Sequence, residues 1–423
     1  MKVQNIYLGK STITWKEVLF SEVFKILRNN SLSRAELSEN NGKVKNIHYG
    51  DILIKFNECI YADKKENIPY IANDDIAYKL LKSSPLKNGD VVFADAAEDN
   101  TVGKCSEIIM HKDVDLVAGL HTIPCRPVLK FAEGYLGYYL NSNLYHNQLL
   151  QYIQGSKVSS ISKKSLNQTI IRYPKEEINQ QKIASYFEAL DSQIVAITKK
   201  LESLKHIKAA SLQSMFPQEG ETTPKVRFKE FKGEWDSPTI DYVFELRNGY
   251  TPSKAIKEYW ENGTIPWFRM EDIRAKGNIL SEAFQNITPR AVKGSGLFKP
   301  NSIILATTAT IGVHAMLIAD SLANQQFTNF TIRKSLCDKY IPDFVNYAFY
   351  KIDSWSEKNT NSGGLLSVDI HSLIKQPFLT PSIEEQQKIA SYFTNLDHQI
   401  NLQSKRLEKL KQIKAACLDK MFV

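Results

Sequence analysis

The chain has 423 residues, of which 43% are hydrophobic and 24% charged, and its 54 Lys and Arg face 46 Asp and Glu. At about 150 residues per domain this length predicts two to three domains. The balance excludes disordered, collagen-like and disulfide-scaffold classes. The net charge of +8 divides as +4 over 1–174, +1 over 175–216, +1 over 217–381 and +2 over 382–423, so no segment is a polycationic arm. Such a surplus is compatible with a nucleic-acid partner without requiring one. The five cysteines (Cys59, Cys105, Cys125, Cys337, Cys417) lie far apart and never as CxxC. That predicts buried thiols in a reducing compartment and argues against structural zinc. The opening MKVQNIYLGKST lacks the apolar core of a secretory signal. The longest weakly polar run, Ser302 to Ala319, is interrupted by Thr307, Thr308, Thr310, Gly312 and His314. A membrane span needs about 20 mostly apolar residues, so two adjacent strands are expected there, and a soluble cytoplasmic protein.

In chain order, YGDILIKF (49–56) and GDVVFA (89–94) read as strands, and the aromatic-rich 134–153 as a helix. A long helix follows over 180–216, with Pro174 just before it and Pro217 ending it. PQEGETTPK (217–225) is a linker by its Pro, Gly and Thr. Beyond it, NSIILA (301–306) and QFTNFTIR (326–333) read as strands, 342–355 as a helix, and 386–422 as a second long helix behind Pro381. Each half is expected to be α+β.

The two long helices are an internal repeat: 24 of 37 ungapped positions are identical between 180–216 and 386–422. Ile183, Leu190, Ile197 and Leu204 recur every seven residues, interleaved with Phe187, Ile194 and Leu201. The second copy repeats this with Ile389, Leu396, Gln403, Leu410 and Phe393, Ile400, Leu407. Alternating four-three spacing is the seam of a coiled coil, and about 40 residues at 1.5 Å each make a rod of roughly 60 Å. The pattern drifts at Ile207 and Ile413, so the last turns are expected to face something else. Fainter matches join the preceding segments: Trp15 to Trp235, Arg28-Asn29 to Arg247-Asn248, IPYIANDDI (68–76) to IPWFRMEDI (265–273), LKNGDVVFA (86–94) to FKPNSIILA (298–306), and Tyr138 to Tyr347. The organisation is therefore domain (1–174), helix (175–216), linker (217–234), domain (235–381), helix (382–423). Antiparallel pairing of the helices would give a pseudo-two-fold arrangement.

The helices stay alike while the domains drift. Identity reaches beyond the seam to Gln180/Gln386, Lys182/Lys388, Ser185/Ser391, Glu202/Glu408 and Lys205/Lys411. A seam alone does not require those positions, so each helix is expected to present one surface to one kind of partner, which the chain would recruit twice. Drifted domains on a fixed spacer suggest two ligands, or two parts of one long ligand.

Catalytic signatures are missing. There is no GxxxxGK[ST] loop, GxSxG elbow, HExxH pair, kinase signature or [DNS]PP[YF] tetrapeptide, and GSGLFK (294–299) lacks a dinucleotide context. Asp74-Asp75 and Glu271-Asp272 each follow an IP-aromatic turn and are expected to cap helices rather than catalyse.

Two variable domains, each followed by a helix of the EEQQKIASYF…LD…I…LKQIK…L…MF type, resemble the specificity subunit of a type I restriction-modification enzyme. GYTPSK (249–254), IPWFRMEDI (265–273), ATTATIG (306–312) and PSIEEQQKI (381–389) are similar to that family's target-recognition domain. The first half departs from it, with NNSLSR (29–34) for GxTPS and a longer ADAAEDNTVG (94–103). The resemblance implies two α/β target-recognition domains, an antiparallel coiled coil and a non-catalytic chain. Each domain would read one half of a split asymmetric site in double-stranded DNA, and the helices would dock two methyltransferase subunits, with restriction subunits joining through that core. S-adenosylmethionine, ATP and Mg belong on those partners, and this chain would carry no cofactor or metal.

Base edges are read by amides and guanidinium groups, while Lys, Ser and Thr commonly hold phosphates. The DNA-facing candidates of the second domain are therefore Thr251, Ser253, Lys254, Arg269, Thr307, Thr308, Asn324, Gln325 and Gln326. In the first they are Ser33, Arg34, Asn73, Lys104 and His121. The partner-facing candidates are Gln180, Lys182, Ser185, Gln386, Lys388 and Ser391. Trp267 and Tyr70 read as core. The competing readings are a coiled-coil adaptor whose domains bind protein, and a cryptic nuclease.

Overall fold

The computed structural model describes residues 13–64, 67–155, 158–361 and 366–422. The reading of the opening MKVQNIYLGKST falls on residues 1–12, outside the described ones. The chain divides into two units, Met1–Lys199 with Lys405–Val423, and Lys200–Ser404.

In the first unit the core sheet has the spatial order Phe24–Ile26, Thr122–Pro127, Val91–Ala94, Cys105–Ile109, Cys59–Tyr61. In the second it is Phe244–Asn248, Phe327–Ile332, Ser302–Ala306, His314–Leu317, Ile279–Leu280. Both sheets are antiparallel except for the last pairing, which is parallel. The registers also coincide: Val91 sits opposite Glu107, as Ile303 does opposite Met316. A second, smaller sheet joins each unit, Leu116–Ala118 with Lys45–Ile47, Tyr70–Ile71 and Leu37–Ser38 in the first, and Ile265–Phe268 with Asn286–Ile287 and Leu322–Ala323 in the second. The central strands form at short, largely apolar runs such as Val91–Ala94 and Ser302–Ala306 and are buried on both faces. The run Ser302 to Ala319 does hold two adjacent antiparallel strands. No helix among the described residues is long and apolar enough to cross a membrane.

One expected strand is a helix. Residues Tyr49–Ile54 are helical, with the His48 Nδ1 capping the Gly50 N–H at 3.2 Å. A strand would have put Ile52 and Ile54 on one face, whereas Ile52 is fully buried and Ile54 is 85% exposed. The aromatic stretch 134–153 is two helices, Tyr135–Leu140 and Asn143–Leu150. The break follows from side chains: Asn141 bonds both the N–H and the carbonyl of Cys105, and Ser142 caps Tyr145. Cys59, Cys105 and Cys125 are buried, but Cys337 is exposed and Cys417 half-buried, so the expectation of uniformly buried thiols holds for three of the five.

The long helices span Glu177–Ser214 and Ile383–Lys420. In each unit the beginning of one runs antiparallel to the end of the other. In the first unit Tyr186 faces Cys417 and Asp191 faces Lys414; in the second Tyr392 faces Ser211 and Asp397 faces Lys208. The seam residues Ile183, Phe187, Leu190, Ile389, Phe393 and Leu396 are buried. Past the drift at Ile207 and Ile413 the last turns dock onto a domain. Phe422 stacks on Phe187 at 5.9 Å and meets Tyr135 and Tyr139 edge-on. Its repeat counterpart Phe216 stacks on Phe393 and Phe344 and meets Trp235 edge-on. Beside each stack lies one charge cluster. Lys414 donates to Asp191 at 2.7 Å and to Glu58 at 2.6 Å, and Tyr138 donates to Asp191. Lys208 donates to Asp397 at 2.6 Å, and Tyr347 donates to the other oxygen.

Phe422→Ala and Phe216→Ala should each destabilise the chain by about 3–5 kcal/mol, the usual cost of emptying a buried phenylalanine site. Thermal denaturation checks this, and an unchanged melting temperature would refute the docking role. Stability should also vary with pH through Glu107. This buried carboxylate accepts the N–H groups of Gly134 (2.9 Å) and Gly137 (2.8 Å), and burial pushes its pKa up to about 7 from 4.5. The folded chain therefore binds this proton more tightly than the unfolded one, and the resulting stabilisation is lost as pH rises from about 4.5 to about 7. Glu107→Gln should flatten that slope in denaturant titrations run at pH 5 and pH 8.

Candidate nucleic-acid interface

In the second unit four segments leave the strands and bond to one another. Residues 249–254 follow Phe244–Asn248, Arg269 follows Ile265–Phe268, 307–310 follow Ser302–Ala306, and 324–326 precede Phe327–Ile332. Backbone hydrogen bonds tie them: Tyr250 N–H to Ala323 O, Asn324 N–H to Phe268 O, and Thr307 N–H to Gln326 O, each 2.9–3.0 Å. Gly249 makes the closest approach; a Cβ there would lie 2.2 Å from the Asn324 carbonyl oxygen, so no larger residue fits.

Within this crest the side chains differ in what they have left to offer. The Thr251 hydroxyl donates to Gln325 Oε1 at 2.5 Å, which leaves the Gln325 amide NH2 exposed. Asn324 and Gln326 bond each other. Ser253 and Lys254 are exposed. Arg269 pairs with Glu271 and lies over the Trp267 ring, with its buried Nε unpartnered. Asp272 accepts the N–H groups of Arg269 and Phe284, so it caps as the sequence suggested. Thr307 is buried against Thr328, and Thr308 bridges Ser367, so both are mainly strand-end residues.

The first unit repeats the backbone with other side chains. Asp95 N–H donates to His121 O at 3.0 Å, the same bond that Thr307 makes to Gln326. His121 therefore stands in the place of Gln326 and Asp95 in that of Thr307. The His121 ring, on a left-handed residue (φ 52°), lies 3.2 Å from Asp95 and 5.2 Å from the Tyr49 ring. Burial raises the Asp95 pKa, against the effect of His121. Asn30 bonds Asn46 Oδ1 and Ala118 O across the base of the crest.

Other first-domain candidates are held within the chain. Arg34 grips the buried Asp51 with two 2.8 Å bonds, and this pairing raises its pKa. Asn73 caps Ile76, Ser33 bonds Glu36, and half-buried Lys104 donates to the carbonyls of Leu53 and Phe56. Burial lowers the Lys104 pKa. These four residues do not present free groups in the way their spacing suggested. Reasoning from sequence missed Asn30, Asn46 and Tyr49, which no motif flags because residues far apart in sequence bring them together.

The partner-facing set also divides. Gln180 and Gln386 are buried: each accepts from a domain N–H (Ala132, Ile341) and donates to the proline before its helix (Pro174, Pro381). Their identity reflects a joint inside the chain, which corrects the expectation that they face a partner. Lys182, Ser185, Lys388 and Ser391 are exposed, with Lys388 paired to Glu230. Glu202/Glu408, Lys205/Lys411, Ala209/Ala415 and Ala210/Ala416 are exposed in both copies.

Two mixed α/β units of one topology, each closed by a long helix, define a tandem-repeat recognition architecture. A family model described as the type I restriction modification DNA specificity domain matches residues 12–206 and again 232–412. The chain belongs to that family. Among curated relatives, the specificity subunit of the type I restriction enzyme EcoprrI from Escherichia coli is 48% identical over 142 residues, 34% of this chain and 35% of that protein. The MjaIX specificity subunit from Methanocaldococcus jannaschii is 32% identical over 196 residues, 45% of this chain and 44% of that one. The matched stretches thus span between a third and a half of these relatives' lengths. The crystal structure of a type I restriction-modification S subunit from M. genitalium superposes with a TM-score of 0.57 at 13% identity, covering 99% of this chain and 98% of that one. This likeness shows a shared fold.

Arg34→Ala should lower stability by about 1–3 kcal/mol, because it strips the buried Asp51 of its bidentate partner. Lys55, 3.3 Å away, compensates only in part. Chemical denaturation checks it; an unchanged midpoint together with weakened DNA binding would return Arg34 to the DNA-facing set.

Proposed function

We propose that this chain is the non-catalytic specificity subunit of a type I restriction-modification system. It reads a split, asymmetric target in double-stranded DNA, one half with each crest. Its long helices dock two copies of a methyltransferase subunit, through which restriction subunits join for adenine methylation or ATP-dependent cleavage. S-adenosylmethionine, ATP and Mg are the partners' cofactors on this reading, and the cytoplasm is its place of work.

The observation that carries the reading is repetition with substitution. The same backbone crest occurs twice, with the His121–Asp95 pair in one copy where Gln326 and Thr307 stand in the other. Amides and imidazoles are groups that discriminate base edges in the major groove, so different side chains on one backbone suit two different half-sites. The exposed positions identical in both helices, Lys182/Lys388, Ser185/Ser391, Glu202/Glu408 and Lys205/Lys411, suit a partner recruited twice.

Methylome sequencing of a host strain with the gene, and of its deletion, tests this. A two-part adenine-methylation motif should vanish on deletion, and replacing residues 235–381 by another family member's domain should change one half of the motif only. Identical methylomes in the presence of intact partner subunits would overturn the reading in favour of a protein-binding adaptor.

A further inference from the structure

Beside the second crest lies an open hollow of about 290 Å³ lined by Lys254, Lys257, Trp260, Glu261 and Gln285. Only Lys254 stood out in the sequence. The floor of this hollow is built to hold the neighbouring loop still. Trp260 Nε1 donates to the Ser253 carbonyl at 3.0 Å, and Trp267 Nε1 donates to the Tyr250 carbonyl at 2.9 Å. The two indoles meet edge-to-face at 5.0 Å. Both ends of the loop Tyr250–Ser253 are thus pinned by indole N–H groups, while Thr251 is tied to Gln325.

The charges around the hollow are unbalanced. Arg290 and Glu258 neutralise each other nearby. Among the described residues Lys254 and Lys257 have no carboxylate within ion-pair distance, although Glu261 shares the hollow. Lys293, across the loop, rests over the Tyr250 ring at 4.4 Å, likewise without an acidic partner. Exposed lysines usually find a carboxylate or a solvated face. Here Lys254 and Lys257 follow directly on a pinned loop that is tied to the exposed Gln325.

We propose that Lys254 and Lys257, which line this hollow with Trp260 and Gln285, form a clasp for the phosphate backbone of one DNA strand, which fixes the register in which the crest meets the bases. The proposal rests on the DNA-reading function above and adds a division of labour to it. The clasp holds the backbone without reading sequence, and the crest discriminates. Trp260 is a positioning residue that acts through Ser253.

The test uses the full chain with its methyltransferase subunits. Its probes are a labelled duplex carrying the motif found in the methylome and the same duplex with one half-site scrambled. Lys254→Ala/Lys257→Ala should weaken binding to both duplexes about tenfold or more. The slope of log K against log[salt] should become shallower by about 2, at about 0.9 for each phosphate no longer neutralised. The preference for the intact target should stay as in the wild type. Trp260→Phe keeps a ring but removes the donor, and should weaken binding to both duplexes with the salt slope intact. If the wild type discriminates between the duplexes but the double variant keeps its slope, the clasp is wrong and the reading stands. If the double variant instead loses discrimination, the lysines read bases, and the clasp is equally overturned. A wild-type complex that binds neither duplex selectively overturns both.

Discussion

The arrangement depends on one joint made twice: the end of each long helix closing the core of a domain it does not follow in sequence. Phe422 lies in the aromatic cluster of Tyr135, Tyr139 and Phe187, while Phe216 lies in that of Trp235, Phe344 and Phe393. Each stack is sealed on its wet side by a lysine that meets an aspartate also held by a tyrosine. Burying an ammonium and a carboxylate together is costly unless geometry is good and remaining lone pairs are satisfied. The tyrosine hydroxyl supplies that satisfaction in both copies, and Glu58 adds a second acceptor in the first. The same clusters anchor the sheets that carry the crests, so an error in the joint would reach the crest loops through rigid packing.

This joint explains much of why the helices have stayed alike. Phe187, Asp191, Lys208, Met215 and Phe216 match Phe393, Asp397, Lys414, Met421 and Phe422 because each makes the same contact in its own unit. The glutamines at 180 and 386 belong to this set, as struts between a helix start and the turn that faces it. The identity left over, at exposed Lys182, Ser185, Glu202, Lys205 and their counterparts, has no such explanation inside the chain. Removing the structural share makes the remaining surface a sharper candidate for a shared partner than the whole repeat was.

Sequence pattern carried the elements whose signal is local and periodic. The four-three spacing marked both long helices and their seam, and apolar runs such as Val91–Ala94 and Ser302–Ala306 marked the central strands. It failed where a distant group decides. Tyr49–Ile54 holds the short apolar run Ile52-Leu53-Ile54 of a strand yet is a helix, because His48 caps it and Asp51 is drawn inward to Arg34. Arg34 and Lys104 looked available from composition, but their partners lie 17 and about 50 residues away, and pattern cannot pair them, whereas Asn73 is a local N-cap three residues from Ile76. The loops of the second domain were more legible in form, because GYTPSK and ATTATIG carry the Gly, Pro and Thr that end strands. Trp260 and Lys257 escaped notice since an indole N–H aimed at a carbonyl leaves no trace in sequence.

The crests show how a surface can diverge on a fixed fold. Backbone N–H groups and carbonyls make the bonds that join the loops, among them Thr307 to Gln326 and Asp95 to His121. A side chain at the tip can therefore change without dissolving the loop that presents it. Side chains that take part in the framework include Trp267 and Asp272 at the base and the Thr251–Gln325 and Asn324–Gln326 pairs higher up. The tip residue Gln325 keeps free hydrogen-bonding capacity. Such a separation lets tip side chains vary while register and rigidity stay constant, and rigidity lowers the ordering cost that any contact must overcome. In the first unit His121 and Asp95 occupy the varied positions as a polar pair, a chemistry unlike the amides of the second. Two halves that share one sheet topology thus carry different side chains at corresponding crest positions.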